Sequence, residues 1–512
     1  MNAQIPVVYA HVLALCASPL VHSYAAAALQ QLAVTCGRPL HVLSRLLAVT
    51  AERVYGTEEV RKQVSGSFLV EVLEGTVERT LATCKEAELS APQFVVAFPL
   101  LRETLTRAYS LGSQDAALQL LELHTVQGGA YPRGEMAEVL LRVMVLVPRL
   151  AERAQAALLR LAPALTGTEH HALLRHGIES ALPPVRQAAL LALKAMHARA
   201  LTGDDLTLSH MWLATSDTDE ENHALAVQLW AAYNRPLTIQ ALQTLYSLLK
   251  NPDVVIRKLT ATAVAAGHKE CKVDLSETLL DVFTLYEVRF TLTILFASFA
   301  TFPHSYSSLT RVQENLPFVD QKVDTFWEMR SGIALLIGAC SVVVTQRELP
   351  EIFQFLIGTA LYDQHEQVRQ QLVQAGIDLI NAAAASGADL TASVLPIFEK
   401  HLEQPSDNEP DTDRIREAVV VFMGGAARSL AATDPKLKVV ISKLIEVLHT
   451  PSESVQRAVA QYLVSLMSAA KEAQEVDAFI NTLLERLRTG KSSTDRRGAA
   501  YGLAGVVKGT LR

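Results

Sequence analysis

Aromatic side chains are scarce in this chain, 6% of 512 residues, although half of the sequence is hydrophobic. The apolar content is therefore carried mainly by aliphatic residues and alanine, a composition that favours packed helices. No convincing run of alternating apolar and polar residues marks a strand. Cysteines are few and odd in number: Cys16, Cys36, Cys84, Cys271 and Cys340. Such dispersed thiols exclude a disulfide framework and point to a reducing compartment, the cytoplasm. There is no excess of positive charge either. The balance of 46 Lys plus Arg against 53 Asp plus Glu gives a net charge of −7, so an overall basic footprint for nucleic acid is excluded, while local patches are not.

A membrane span is also missing. The strongest apolar stretch, Phe290 to Phe302, covers 13 residues, short of the ~20 a span needs, and suits a buried helix. The first 37 residues carry no charged side chain. No Lys or Arg precedes the apolar stretch from Val7 to Leu15, and Pro6, Pro19 and Pro39 punctuate the region like the ends of helical hairpins, which argues against a secretory signal.

Signs of catalysis are sparse. Gly490-Lys491-Ser492 has the end of a phosphate-binding loop, but Glu485 stands where that loop needs its first glycine, and no strand precedes it. Gly-rich dinucleotide and Gly-x-Ser-x-Gly patterns are lacking. His170, His171 and His176 lie together without a Cys pair or acidic partner at ligand spacing, as expected of a histidine-rich surface turn rather than a metal site. Glu220 and Glu221 have nothing to drive their pKa values apart. No enzyme activity, cofactor, metal or small-molecule substrate is expected.

What the chain does have is repetition. A polar turn, a positive or polar anchor near a helix start and an Ala-rich apolar helix recur with anchors at Arg153, Arg186, His223, Arg257, Arg289, Arg330, Arg369, Arg416 and Gln456, closing at Arg497. Successive separations run from 32 to 47 residues, the period of stacked helical hairpins. The unit is clearest at Asn251-Pro-Asp-Val-Val-Ile-Arg257. Asn251 and Pro252 end one helix, and Asp253 caps the next, its carboxylate meeting unpaired N–H groups. Val255, Val368 and Val455 precede their anchors, and small residues recur three and four positions on, where they allow close stacking. At this length a single core is excluded. The expected fold is all-α, an α-solenoid of HEAT-type repeats, with armadillo repeats sharing the period.

Residues 1–150 are expected to be diverged helical repeats, 151–350 a HEAT array and 351–512 a further array. Thr215 to Glu221 and Glu403 to Asp413 have the composition of exposed acidic loops, and the Ser-rich stretch from His304 to Asp324 that of a long inter-helix loop. Arg257, Arg369 and Arg416 are expected to hydrogen-bond neighbouring turns as a structural ladder, ahead of forming a basic ridge. Lys491, Arg496, Arg497, Lys508 and Arg512 make the end locally basic.

Five ordered blocks within residues 353–508 carry a family resemblance. They are Phe355-Leu-Ile-Gly-Thr-Ala-Leu with Val368-Arg-Gln-Gln, Leu395-Pro-Ile-Phe-Glu, Arg416-Glu-Ala-Val-Val-Val-Phe-Met-Gly, Thr450-Pro-Ser-Glu-Ser-Val-Gln-Arg-Ala-Val, and Arg496-Arg-Gly-Ala-Ala-Tyr-Gly-Leu-Ala-Gly-Val-Val-Lys-Gly. Together they resemble the general control non-derepressible translational activators, very large HEAT-repeat proteins that associate with ribosomes and activate the initiation factor two alpha kinase. The resemblance implies a cytoplasmic scaffold from the middle of such a protein, with the ribosome as partner and the kinase engaged through regions outside this chain. Lys491-Ser-Ser-Thr-Asp departs from the family, which usually has a Tyr and a Glu beside the paired arginines. Lys491, Arg496 and Arg497 are the expected ribosome-facing residues. A nuclear import receptor is the alternative among HEAT adaptors.

Overall fold

The computed structural model describes residue 77 and residues 91–106, 110–125, 131–196, 201–299, 326–404, 410–469 and 473–511. Every regular element among them is helical. The chain divides into two compact units, Met1–Pro236 and Leu237–Arg512, taken separately below.

In the first unit the longer helices are α1 (Ala91–Thr106), α2 (Leu111–Leu123), α3 (Arg133–Leu146), α4 (Ala151–Leu161), the short α5 (His171–Leu173), α6 (Pro183–Ala195), α7 (Asp205–Ala214) and α8 (Glu220–Tyr233). Polar caps set the starts of α2, α7 and α8. Asp204 accepts from the Thr207 N–H at 2.8 Å and Asp219 from the Asn222 N–H at 3.1 Å. Each cap satisfies an N–H group that has no partner within its own helix. Helix α8 ends at Asn234 in the left-handed region, φ 49°. Helix α6 packs against α4 on one side and α8 on the other, the second helices of successive hairpins. Leu158, Leu161, Val185, Ala188, Ala189 and Leu190 are buried between them.

The second unit contains α9 (Ile239–Leu245), α10 (Val254–Cys271), α11 (Leu275–Phe299), α12 (Trp327–Ala339), α13 (Leu349–Gly358), α14 (Glu366–Ala385), the one-turn α15 (Leu390–Ser393), α16 (Leu395–Glu403), α17 (Pro410–Ala427), α18 (Pro435–Val447), α19 (Glu453–Ala469), α20 (Ala473–Thr489) and α21 (Ser493–Thr510). Asp253 caps α10 as its sequence suggested, accepting from the Val255 N–H at 2.8 Å. Helices α10, α12, α14, α17, α19 and α21 stack in that order. The position before four of the anchors fills the seam: Ile256, Val368, Ile415 and Val455 are all at most 1% exposed. Phe353, Phe398 and Phe422, with centroids 5.1 to 6.0 Å apart, lock α13, α16 and α17 together.

Three readings of the sequence are corrected here. Arg289 lies well inside α11, the first helix of its hairpin, so it does not start a second helix. Arg330 on α12 is therefore the anchor that follows Arg257. The segment Thr215–Glu221 is not simply a solvated loop, because Asp217 is 8% exposed and Asp219 caps α8. His223 sits at an exposed position, and the adjacent Asn222, 1% exposed, takes the buried place, its Nδ2 donating to the Pro183 carbonyl at 3.0 Å. The stretch His304–Asp324, Cys16, Cys36, Cys84 and the Gly128-Gly129 break fall outside the described residues, as do residues 405–409 of the second acidic stretch.

Candidate interaction surface

Four anchors, Arg186, Arg257, Arg369 and Gln456, share one local geometry, and Arg496, beside the expected anchor Arg497, repeats it. Each of these five occupies the fourth position of its helix start, and its side chain turns back to the carbonyl six residues earlier. Arg186 donates to Ser180 O at 2.9 Å, Arg257 to Asn251 O at 2.7 Å, Arg369 to Asp363 O at 2.6 Å, Gln456 to Thr450 O at 2.8 Å and Arg496 to Gly490 O at 2.8 Å. A turn carbonyl left without a helical partner thereby gains a donor, charge-assisted where the anchor is arginine. Arg416, deeper in α17, also donates to carbonyls at the end of the preceding helix, reaching Leu402 O at 3.0 Å and Gln404 O.

Several anchors also tie one hairpin to the next. In the first unit the Arg186 guanidinium pairs with both Asp217 oxygens at 2.7 Å, each side chain 2% exposed. In the second, Arg330 pairs with Asp363 at 2.6 and 3.1 Å, both fully buried, and Tyr286 donates to the same carboxylate at 2.5 Å. Asp217 and Asp363 hold equivalent places two residues before a helix cap. Arg257 meets its neighbour differently, lying 5.0 Å from the Trp327 ring, which in turn stacks on His365 at 4.5 Å. Gln456 donates to Thr494 O at 3.1 Å. Arg153, half-buried, pairs with Glu122 at 2.8 Å and with Asp115.

Charge and burial are balanced in this ladder. Burial pushes the Asp217 carboxyl up, but the Arg186 guanidinium and the Asp219 N–H outweigh it and hold the group below the usual carboxylate range. Burial, with Asp363 beside it, raises the Tyr286 phenol. The Cys340 thiol is pushed up to about 12 by burial, which leaves it unreactive. The histidine group is divided among separate partners. His170 bonds Gly167 O and Thr207 Oγ1, each at 2.9 Å, His171 bonds Asp204 at 2.9 Å, and His176 faces Glu138 at 3.8 Å. Among the described residues no cluster of His, Cys, Asp and Glu is placed to hold a metal ion, and no helix is long and apolar enough to cross a membrane.

A cavity of about 310 Å³ in the second unit is lined by Leu402, Glu403, Arg416, Lys443, Glu446 and His449, among others. Its charges are already engaged, Lys443 with Glu403 at 2.9 Å and Glu446 at 3.5 Å, and Arg416 with turn carbonyls.

The basic end is a turn rather than a loop around phosphate. Ser492 caps α21, accepting from the Asp495 N–H at 2.9 Å. Lys491 and Arg496 are exposed. Arg497 is only half-exposed and faces inward, donating to Gln456 Oε1 at 2.9 Å and Pro451 O at 2.6 Å while meeting Glu453 at 3.6 Å. Two of the three expected contact residues therefore face solvent, and the third is a rung of the ladder. Arg488 is a further exposed cation nearby, at the end of α20, and was not singled out from the sequence.

Stacked two-helix repeats, joined by buried polar anchors at the turns, define a HEAT-type α-solenoid protein. Residues 200–428 match a family model described as stalled ribosome sensor GCN1, HEAT repeats. The chain is 29% identical over 459 residues to the human stalled ribosome sensor GCN1, a match covering 83% of this chain and 16% of that protein. It is 28% identical over 448 residues to the eIF-2-alpha kinase activator GCN1 of Dictyostelium discoideum, covering 85% and 16% respectively. Against Protein ILITYHIA of Arabidopsis thaliana it is 32% identical over 337 residues, 65% of this chain and 11% of that one. Residues 200–428 thus resemble the HEAT repeats of GCN1, and the similarity to GCN1 proteins extends over most of the chain. The chain spans 16% of the length of the human and Dictyostelium relatives. Among solved structures, Kap121p bound to Pho4p superposes with a TM-score of only 0.37 at 12% identity, covering 99% of this chain and 50% of that one.

Proposed function

We propose that this chain is a non-enzymatic HEAT scaffold that docks on ribosomes in the cytoplasm and helps relay stalling or amino-acid starvation to the initiation factor two alpha kinase, which it engages through regions beyond the present sequence. The observation that carries this reading is the match to proteins named stalled ribosome sensor and kinase activator across more than four-fifths of the chain. The fold supports it physically. A solenoid presents a long surface on which individually weak contacts combine through effective concentration. The buried charged anchors are committed to the ladder, so docking falls to exposed side chains of turns and outer helix faces, Arg496 among them although it also donates to the Gly490 carbonyl.

Lys491 and Arg496 are the proposed ribosome contacts, with Arg497 holding the turn that presents them. The double reversal Lys491→Glu, Arg496→Glu should reduce the amount of chain that pellets with purified ribosomes at low salt, with little change in the midpoint of thermal unfolding, since the one bond lost, Arg496 to Gly490 O, is exposed. Equal pelleting of the variant would remove this turn from the contact. An import receptor is the weaker alternative, and binding of the small nuclear GTPase by this chain would favour it.

A further inference from the structure

Helices α17, α19 and α21 carry two arginine–tyrosine tiers that the ladder does not use. The Arg428 guanidinium, just past the end of α17, lies 5.7 Å from the centre of the Tyr462 ring on α19. Arg457 on α19 lies 5.9 Å from the Tyr501 ring on α21 and donates to its hydroxyl at 3.1 Å. Both arginines are exposed, and both rings are half-covered. Tyr462 is seated by Gly424, where a side chain would come within 2.3 Å of the ring. Glu453 is the nearest carboxylate to the second tier. It is occupied by Arg457 at 2.5 Å and Tyr501 at 2.9 Å, with Arg497 at 3.6 Å. Arg428 has no carboxylate within ion-pair distance among the described residues. Arg496 and Lys508 add two exposed cations at the two ends of α21.

We infer that this face binds unpaired RNA. An exposed guanidinium held beside a half-covered tyrosine offers a planar cation and a ring face for a base to stack on, while its N–H groups not held by a neighbour can meet a phosphate. Two such tiers on adjacent helices, flanked by exposed cations, match a strand whose bases are splayed out. Regular duplex offers no unstacked base to those planes. An acidic peptide would use the charges but not the stacking surfaces. The inference rests on the ribosome-scaffold reading only for where such RNA is met, since the surface itself is argued from its side chains.

The test is fluorescence anisotropy of the whole chain with a labelled single-stranded RNA oligonucleotide and with a duplex of the same length, over a salt series. Single strands should bind more tightly than duplex. With four cations engaged, log affinity should fall with log salt at a slope of about −3, taking roughly 0.7 per phosphate contact. Arg428→Glu with Arg457→Glu should lower single-strand affinity at least about tenfold at low salt and flatten the slope. Lys258→Glu, an exposed site on α10, should leave both unchanged. If the reversal variant unfolds, the pair Arg428→Gln and Arg457→Gln serves instead, with a smaller loss in the same direction. Absence of single-strand binding at low salt, or equal affinity of folded variant and parent, overturns the inference. If the variant loses ribosome pelleting while the parent binds no RNA, the face meets a ribosomal protein, which sinks the RNA inference and leaves the scaffold reading standing.

Discussion

Asp217 and Asn222 show what a single residue does in this array. Asp217 stands in a turn rich in acidic residues and Asn222 in the first turn of the helix that follows, yet one closes a buried ion pair with Arg186 and the other ties α8 to the Pro183 carbonyl. Removing one partner of such a pair leaves an uncompensated buried charge, so Arg186→Ala should destabilise the first unit by about 3–5 kcal/mol, measured by denaturant unfolding. The joint replacement Arg186→Met with Asp217→Leu removes both charges and should cost far less. The acid response follows from the sign of the shift. The Asp217 carboxyl is held below its usual range in the fold, so its contribution is complete above the unfolded carboxyl value near about 3.9 and is lost as pH falls through the lower folded value. The unfolding midpoint of the parent should therefore drop more steeply below about pH 4 than that of the double variant. The sequence revealed the recurring arginines and their role in a ladder, because their spacing is regular. It hid Asp217 because an acidic side chain reads as solvated until the guanidinium that meets it from another hairpin, 31 residues earlier, is seen.

At the scale of the element, α21 explains why the last motif block is so distinctive. Gly498 and Gly505 face α18–α19 so closely that an added Cβ would lie 2.1 Å from Leu448 O and 2.5 Å from Ala460 O. Backbone atoms cannot retreat as a flexible side chain can. Gly498→Ala should therefore force α21 away from its neighbours and destabilise the second unit by about 1–3 kcal/mol, whereas Ala500→Gly, at an exposed position, should cost about 1 kcal/mol through helix propensity alone. Comparing the two by denaturant unfolding separates close packing from intrinsic helix preference. Helix starts were legible from Asp253 and the Asn-Pro turn before it. The anchor at Arg289 was misplaced because α11 is 25 residues long and carries a basic residue at nearly the expected period inside a first helix. Spacing alone does not distinguish the two helices of a hairpin. The fourth position after the cap, with a carbonyl six residues back, does.

For the whole molecule, the period was enough to indicate an all-helical repeat protein and the motif blocks a resemblance to GCN1 proteins, since stacked repeats write their geometry into the sequence many times over. The exposed basic turn was only partly legible. Lys491, Arg496 and Arg497 fall within seven residues of sequence, but the helix start turns Arg497 inward to Gln456 and leaves the other two outward. The central claim is that this segment itself touches the ribosome, and cosedimentation of the chain with purified ribosomes across a salt series tests it most directly. The account predicts clear pelleting at low salt that declines linearly in log affinity against log salt, as cations release from phosphate. Failure to pellet with ribosomes even at the lowest salt would contradict it and make the segment a spacer between contacts made elsewhere.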